Sequence, residues 1–360
     1  MKIEELRKKI DEVDTGIVQL IAERLSLAEQ IGSLKRKQGQ QIEDKQRENK
    51  ILEHIREIAH EKGINEADIE GIYRKVFSTS KSIQGAIVAF QGEIGAYSEE
   101  AAINFFGAGI QVKPFESFEN VFRSVEQDES QFGIAPVENS LEGSISRNYD
   151  LLLDSSLKVC GEIELPVSHC LIANPSATLS SIKKIYSHPQ ALGQCQAFIK
   201  HLNCELIPTY DTAGSVKFIK EKMITDGAAI ASPRAAEIYN MDIITCGIED
   251  NPNNFTRFFV LAKEDAPPSG NDKTSVVFAV KHKPGALFEF LSQLAMNKIN
   301  MTKLESRPTR QKPWDYNFYL DFDGHRQDSA VKKTLEQLED HVIFMKVLGS
   351  YPRAKPKARE

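Results

Sequence analysis

Along the first 84 residues, apolar positions recur at helical spacing. Ile3, Leu6, Ile10, Val13, Ile17, Leu20, Leu27, Ile31 and Leu34, with Arg24 among them, step by three and four without a fault. That pattern predicts one long helix with a heptad seam. Beyond Gly39, Asp44, Glu48, Ile51, Ile55 and Ile58 repeat the spacing. A third helix follows Asn65, a candidate N-cap, and runs through Ile69, Ile72, Tyr73, Val76, Ser80 and Gln84. Each apolar stripe is extended by polar groups. An arginine in a seam sets register, snorkels to water or meets an anion, because an unpaired buried charge is costly. Polar groups on the buried faces of three helices are also how bundles build ligand sites.

From Gly85 the period changes. Ala86 to Phe90 reads as a buried strand, followed by a Gly92…Gly95 loop and a helix from Ser98. Further strands end at Ala135 and near Ser187, Pro208 and Ser232, each followed by a helical pattern. Repeated strand–loop–helix units predict an α/β sheet whose ligands sit beyond the carboxyl ends of its strands. Phe255 to Ala262 alternates, with Phe255, Arg257, Phe259 and Leu261 on one face and Thr256, Phe258, Val260 and Ala262 on the other. On spacing alone, Thr256 is a strand-end hydroxyl bonded to backbone and Arg257 reaches solvent. Asp265 to Asp272 has the composition of a linker. The pattern β-α-β-β-α-β then runs from Thr274 to Leu348, which is ferredoxin-like, and a charged, disordered tail is expected at 353–360.

Composition narrows the function. A chain of 360 residues has room for two or three domains, and a net charge of −6 argues against a nucleic-acid binder. No apolar run reaches membrane-spanning length, and the charged start reads as a helix, not a signal peptide, so a cytoplasmic protein away from membranes is expected. Five cysteines, odd in number and without a C-x-x-C pair, point to free thiols in a reducing compartment. Nothing has metal-ligand spacing, and the Gly92…Gly95 loop lacks the dinucleotide pattern, so neither metal nor cofactor is expected. His188 precedes a proline and has no identifiable acidic partner, which weakens a triad reading.

The arithmetic of the long helix implies a second copy. Arg24 and Lys35 share a face about 16 Å apart, whereas Arg7 lies about 25 Å from Arg24. Arg7 reaches a ligand held at Arg24 only from an antiparallel partner helix, so a homodimer or higher homo-oligomer is expected. The segment 1–84 resembles the all-helical chorismate mutases. That resemblance implies that Arg24 and the partner's Arg7 bind the two carboxylates of chorismate and that Arg47 assists. It also implies that Glu48 accepts the substrate hydroxyl, that Lys35 and Gln84 face the ether oxygen, and that Asp44 and Ser80 line the pocket. A Claisen rearrangement needs no nucleophile, only a compact conformer and donors where negative charge develops.

Three later motifs, P-V-E-N-S-x-x-G-S from Pro136, S-H-P-Q-x-x-x-Q-C from Ser187 and N-F-T-R-F from Asn254, resemble prephenate dehydratase. The family fold is two α/β lobes of the type II periplasmic-binding-protein kind, with substrate in the cleft. The resemblance implies that Thr256 protonates the departing hydroxyl, that Asn139, Ser187 and Gln194 hydrogen-bond prephenate, and that Arg257 supports the carboxylate or the loop. Ala96 and Gly214-Ser215 depart from the family pattern. Lys283 to Leu287 and Leu304 to Pro308 resemble the ACT domain, implying phenylalanine binding by Gly285, Ala286, Leu287, Glu305, Ser306, Arg307 and Pro308. The expected architecture is an all-α domain at 1–84, a two-lobed α/β domain at 85–265 and an α+β ACT domain at 273–352. The expected function is a bifunctional enzyme taking chorismate to prephenate and then to phenylpyruvate under phenylalanine feedback. The alternatives are a dehydratase whose helical segment only dimerises or regulates, and a non-catalytic ligand sensor.

Overall fold

The structure is a computed structural model that describes residues 3–37, 45–83, 86–107, 110–175, 177–309 and 315–354; the side chains at 29, 32–37, 45, 46, 78 and 81–83 lie outside the description. Of the expected tail, only Arg353 and Ala354 are among them. The chain divides into two compact units, Met1–Ile87 with Ile103–Gln111 and Val88–Ala102 with Val112–Glu360.

The heptad series becomes a single 35-residue helix, α1 (Ile3–Lys37), followed by α2 (Lys45–Lys62) and α3 (Glu66–Ile83). Asn65 caps α3 as its position predicts, its Oδ1 accepting from Ala67 N at 2.8 Å and Asp68 N at 3.3 Å. α3 packs on both other helices, and Ala28, Leu52, Ala59 and Phe77 are buried there. The N-terminal part of the α1 seam is not covered: Ile10 is 58% exposed and Leu20 67%.

In the second unit the first sheet takes β1 (Ile87–Gln91), β2 (Gln111–Phe115), β3 (Phe132–Asn139), β4 (Gly143–Ser144) and β5 (Lys158–Pro166). The second takes β6 (Cys170–Ala173), β7 (Lys184–Ser187), β8 (Glu205–Pro208), β9 (Gly227–Ala231) and β10 (Asp242–Cys246). The chain then returns: β11 (Phe255–Ala262) inserts between β3 and β5, giving the orders β2-β1-β3-β11-β5 and β10-β6-β9-β7-β8. Two crossings between two sheets make the expected two lobes. Both sheets are mixed: β11 runs antiparallel to both of its neighbours in the first, and β6 antiparallel to β9 and β10 in the second. Phe258, Phe259, Val260 and Leu261 are all buried, so this strand is covered on both faces, which its apolar run allows.

The last sheet, β12 (Asp272–Ala279), β13 (Met301–Pro308), β14 (Tyr316–Asp323) and β15 (Phe344–Pro352), has the order β13-β14-β12-β15, with helices at Ala286–Met296 and Ser329–Glu339. It does not hang on a flexible linker. The Asp272 carboxylate accepts from Ser269 N, Gly270 N and Ser269 Oγ, folding the expected linker into a turn. Tyr149 and Phe259 of the first lobe share one core with Tyr319, Leu348 and Tyr351 of this sheet. Each such side chain contributes roughly 1.5–3 kcal/mol on burial. A Cβ at Gly349 would overlap the backbone of Val159, so only glycine lets β15 approach β5 this closely.

The free-thiol expectation needs correction. β6 and β10 are antiparallel neighbours that set Cys170 directly opposite Cys246, with Cα atoms 4.0 Å apart, and the two form a disulfide. Cys160, Cys195 and Cys204 are free. Among the described residues, no helix is long and apolar enough to cross a membrane, and no cluster of three His, Cys, Asp or Glu could hold a metal.

Candidate active site

Strand β11 presents two successive residues to opposite faces of the first sheet. Thr256 is paired with Asn139 and Leu165, Arg257 with Glu138 and Glu164. Asn139 Nδ2 donates to Thr256 Oγ1 at 3.1 Å, to Asn254 Oδ1 at 2.7 Å and to Phe255 O at 3.2 Å. The orientation of this amide is forced. Its Oδ1 accepts from the backbone N–H groups of Leu141 (3.0 Å) and Glu142 (3.2 Å), which can only donate. An N–H therefore points at Thr256 Oγ1, and the threonine's own proton is left to donate elsewhere.

The same logic propagates. Asn254 Oδ1 is an acceptor, so its Nδ2 donates to Gln194 Oε1 at 2.9 Å, while Gln194 Nε2 donates to Glu142 Oε1 at 2.7 Å. Gln194 Oε1 also lies 3.1 Å from His169 Nε2. His169 Nδ1 is 3.2 Å from Tyr97 Oη, which donates to Ser168 O at 2.6 Å. Burial pushes the His169 imidazole below its ordinary range, which favours the neutral ring.

Of the residues expected to meet prephenate, Asn139, Gln194 and Thr256 come together in this chain of contacts. Ser187 stands apart: fully buried at the end of β7, its Oγ donates to Ile230 O at 2.6 Å. His188 caps the helix Pro189–Gln194, its Nδ1 accepting from Gln190 N. Asn254, Tyr97 and His169 were not anticipated. Asn254 stands inside the N-F-T-R-F motif and could have been found there; Tyr97 and His169 are joined to the site only by folding.

Arg257 stands apart from the amide chain. It faces away from Thr256, towards the C-terminal sheet. Its guanidinium bonds Glu162 (2.6 Å), Asp321 (2.6 Å) and Tyr351 Oη (3.1 Å), and it lies 4.8 Å from the Phe259 ring centroid. It ties the first lobe to the C-terminal sheet. The physical reason it faces away from Thr256 is the two-residue period of the strand, which cannot put neighbours on one face.

The glycine departure at 214 has a local cause. A Cβ there would meet Tyr210 Oη at 2.7 Å. Tyr210 instead closes over Gly214 and donates to Glu93 Oε1 at 2.8 Å, while Asp211 Oδ2 accepts from Glu93 N and Gly214 N. The Gly92…Gly95 loop of one lobe is thereby docked on the other.

The expected effector residues divide. Ala286 and Leu287 line a pocket with His282, Lys283, Tyr316 and Phe318, next to Gly285, whose φ of 83° starts the helix. Glu305 and Arg307 point elsewhere: Glu305 accepts from Ser144 Oγ, and Arg307 donates to Ser146 O and pairs with Asp150 at 3.1 Å. Ser306 and Pro308 are exposed on the other side of β13. Within one chain none of Glu305, Ser306, Arg307 and Pro308 lines that pocket, although Ser306 and Pro308 stand beside Phe318 and Tyr316, which do; Glu305 and Arg307 face the other way.

In the helical unit Arg24 Nη1 donates to Ser80 Oγ at 2.5 Å, and its guanidinium lies 5.3 Å from the Phe77 ring centroid. Two of the residues expected at chorismate thus meet across α1 and α3. Arg7 is exposed on α1, and Arg47 and Glu48 stand at the start of α2. The Lys35 side chain, Asp44 and Gln84 lie outside the described residues.

A helical module, two α/β lobes with a threonine set in oriented amides, and a ferredoxin-like sheet define a modular small-molecule enzyme. Family models match in that order: chorismate mutase type II over residues 6–85, prephenate dehydratase over 88–266 and the ACT domain over 274–340. The bifunctional chorismate mutase/prephenate dehydratase of Aquifex aeolicus is 39% identical over 98% of this chain and 98% of its own length. The solved prephenate dehydratase of Arthrobacter aurescens in complex with L-Phe is 31% identical, with a TM-score of 0.69 over 76% of this chain and 92% of that one. GqqA, a quorum-quenching acylase, is 32% identical with a TM-score of 0.69 over 75% and 98%. The chain belongs to the bifunctional chorismate mutase/prephenate dehydratases.

Proposed function

We infer that this chain rearranges chorismate to prephenate in its helical unit and converts prephenate to phenylpyruvate in its two-lobed unit, under feedback by phenylalanine. The observation that carries the second step is the Asn139 N–H aimed at Thr256 Oγ1. As the carboxylate leaves as carbon dioxide, its bonding electrons move into the ring and expel the ring hydroxyl. Thr256 gives that hydroxyl its proton, releasing water, and the Asn139 N–H stabilises the oxygen left behind until solvent reprotonates it. A threonine is a weak acid, and aromatisation supplies the driving force. An acyl-transfer reading, which the likeness to GqqA invites, needs a hydroxyl activated by a base. Among the described residues, Thr256 Oγ1 contacts an amide and no imidazole. Phenylalanine is assigned to the pocket at Ala286 and Leu287.

The test supplies chorismate to pure protein and follows chorismate, prephenate and phenylpyruvate together. Loss of chorismate with transient prephenate and then phenylpyruvate is expected; absence of phenylpyruvate overturns the second step.

The uncovered seam of α1 supports a dimer in which each mutase site borrows Arg7 from its partner. Arg7→Ala and Arg24→Ala should each lower mutase activity by roughly 30-fold or more, the effect of about 2 kcal/mol from a lost charge contact. Mixed and reassociated, the two variants should regain activity, because one site per heterodimer then has both arginines intact. If mixing restores nothing, each chain uses its own Arg7. If Arg24→Ala alone leaves the mutase unchanged, the helical unit is not catalytic as read here.

A further inference from the structure

We propose that His169 is a positioning residue for the dehydration, acting through Gln194, Asn254 and Asn139 on the hydroxyl of Thr256. The inference rests on the reading of Thr256 as the proton donor and extends it. His169 is 2% exposed, at the end of the connection between β5 and β6, and nothing in the three motifs includes it.

The direction of every hydrogen bond in the chain is set from its two ends. At one end, the Leu141 and Glu142 N–H groups fix the Asn139 amide. At the other, Gln194 Nε2 faces the Glu142 carboxylate, so Gln194 Oε1 must accept from both Asn254 Nδ2 and His169 Nε2. His169 therefore carries a proton on Nε2, with its Nδ1 3.2 Å from Tyr97 Oη on the far side of the ring. If Gln194 turned over, its N–H would face the Asn254 N–H and its oxygen the Glu142 carboxylate, two repulsions where there were two bonds. Asn139, Asn254 and His169 are all buried, where each orphaned polar group costs about 1–3 kcal/mol. The His169 N–H is the second donor that makes the correct orientation of Gln194 the stable one.

The surroundings hold the imidazole still. Tyr97 meets the ring edge-on, with centroids 5.8 Å apart and planes at 82°. His169 N donates to Glu249 Oε2 at 2.9 Å, and Asp250 N donates to Gln194 O at 2.7 Å, so one loop anchors both residues. His169 and Gln194 belong to the second lobe, while Tyr97, Asn254, Asn139 and Thr256 belong to the first. The proton donor is thus oriented by a chain that closes only when both lobes are in register.

The test compares His169→Leu, which removes the donor, with His169→Gln, which can restore an N–H near the position of Nε2. kcat and KM are read for supplied prephenate, with mutase activity of the same preparation as control. For His169→Leu, kcat should fall about 100-fold, the scale of a misplaced group. KM should stay within about threefold, since His169 acts here through Gln194 on the Thr256 hydroxyl, and His169→Gln should recover about tenfold or more of the loss. Equal kcat in the two variants, whether both at the wild-type level or both silent, overturns the proposal. So does a loss confined to KM. The reading of Thr256 fails separately: undiminished phenylpyruvate formation by Thr256→Val sinks it whatever His169 does.

Discussion

Thr256→Val is expected to cut phenylpyruvate formation about 100- to 10,000-fold, the range a positioned general acid contributes, while chorismate consumption continues at the wild-type rate. Valine keeps the branched shape and deletes only the hydroxyl. The fold should tolerate this. Asn139 Nδ2 loses one acceptor of three and keeps Asn254 Oδ1 and Phe255 O, so the stability cost is about 1 kcal/mol. The kinetic loss corresponds to about 3–5 kcal/mol of transition-state stabilisation, several times the structural effect. Thr256→Ser retains the hydroxyl beside the same Asn139 N–H and should keep most of the rate. The measurement is phenylpyruvate release from supplied prephenate. If Thr256→Val stays within about tenfold of wild type, the proton comes from elsewhere.

What could be read along the chain followed the range of the forces involved. The heptad seam of α1 and the buried run at β11 are local patterns, and both became the predicted elements. The amide chain was half legible. Asn139, Gln194 and Thr256 stand in motifs at strand or helix ends, but their link through Asn254 to His169 depends on two lobes meeting. Spacing alone sends Arg257 to solvent, whereas it is buried, because its partners Glu162, Asp321 and Tyr351 are 95, 64 and 94 residues away and on two different sheets. Period-2 alternation already separates it from Thr256. The Cys170–Cys246 pair was hidden for the same reason: only the register of β10 on β6, set 76 residues apart, brings the sulfurs together. Asp265 to Asp272 reads as a linker by composition, and the carboxylate of Asp272 that folds its end into a turn is not visible in that composition.

Arg257→Met should be the opposite kind of variant from Thr256→Val, costly to the fold at the next residue of the same strand. The guanidinium sits between two carboxylates whose side chains are almost wholly buried, those of Glu162 and Asp321. Without it, Glu162 keeps Lys273 Nζ at 2.8 Å and Ala354 N at 2.9 Å, whereas Asp321 keeps mainly the hydroxyl of Ser275 at 2.5 Å. Asp321 becomes a buried charge without a cation, and breaking such a pair from one side costs about 3–5 kcal/mol. An exposed pair such as Lys263–Asp128 contributes about 0–1 kcal/mol by comparison. For a unit of this size the loss corresponds to a drop in Tm of about 10 °C, measured by thermal unfolding. Arg257→Met combined with Asp321→Leu removes both charges and should regain most of that drop, because apolar groups can replace a buried ion pair at little net cost. Recovery in the double variant identifies the stranded Asp321 carboxylate as the cause. If Arg257→Met melts with Lys263→Met, or the double variant melts lower than Arg257→Met, the clamp between the first lobe and the C-terminal sheet does not stabilise their junction.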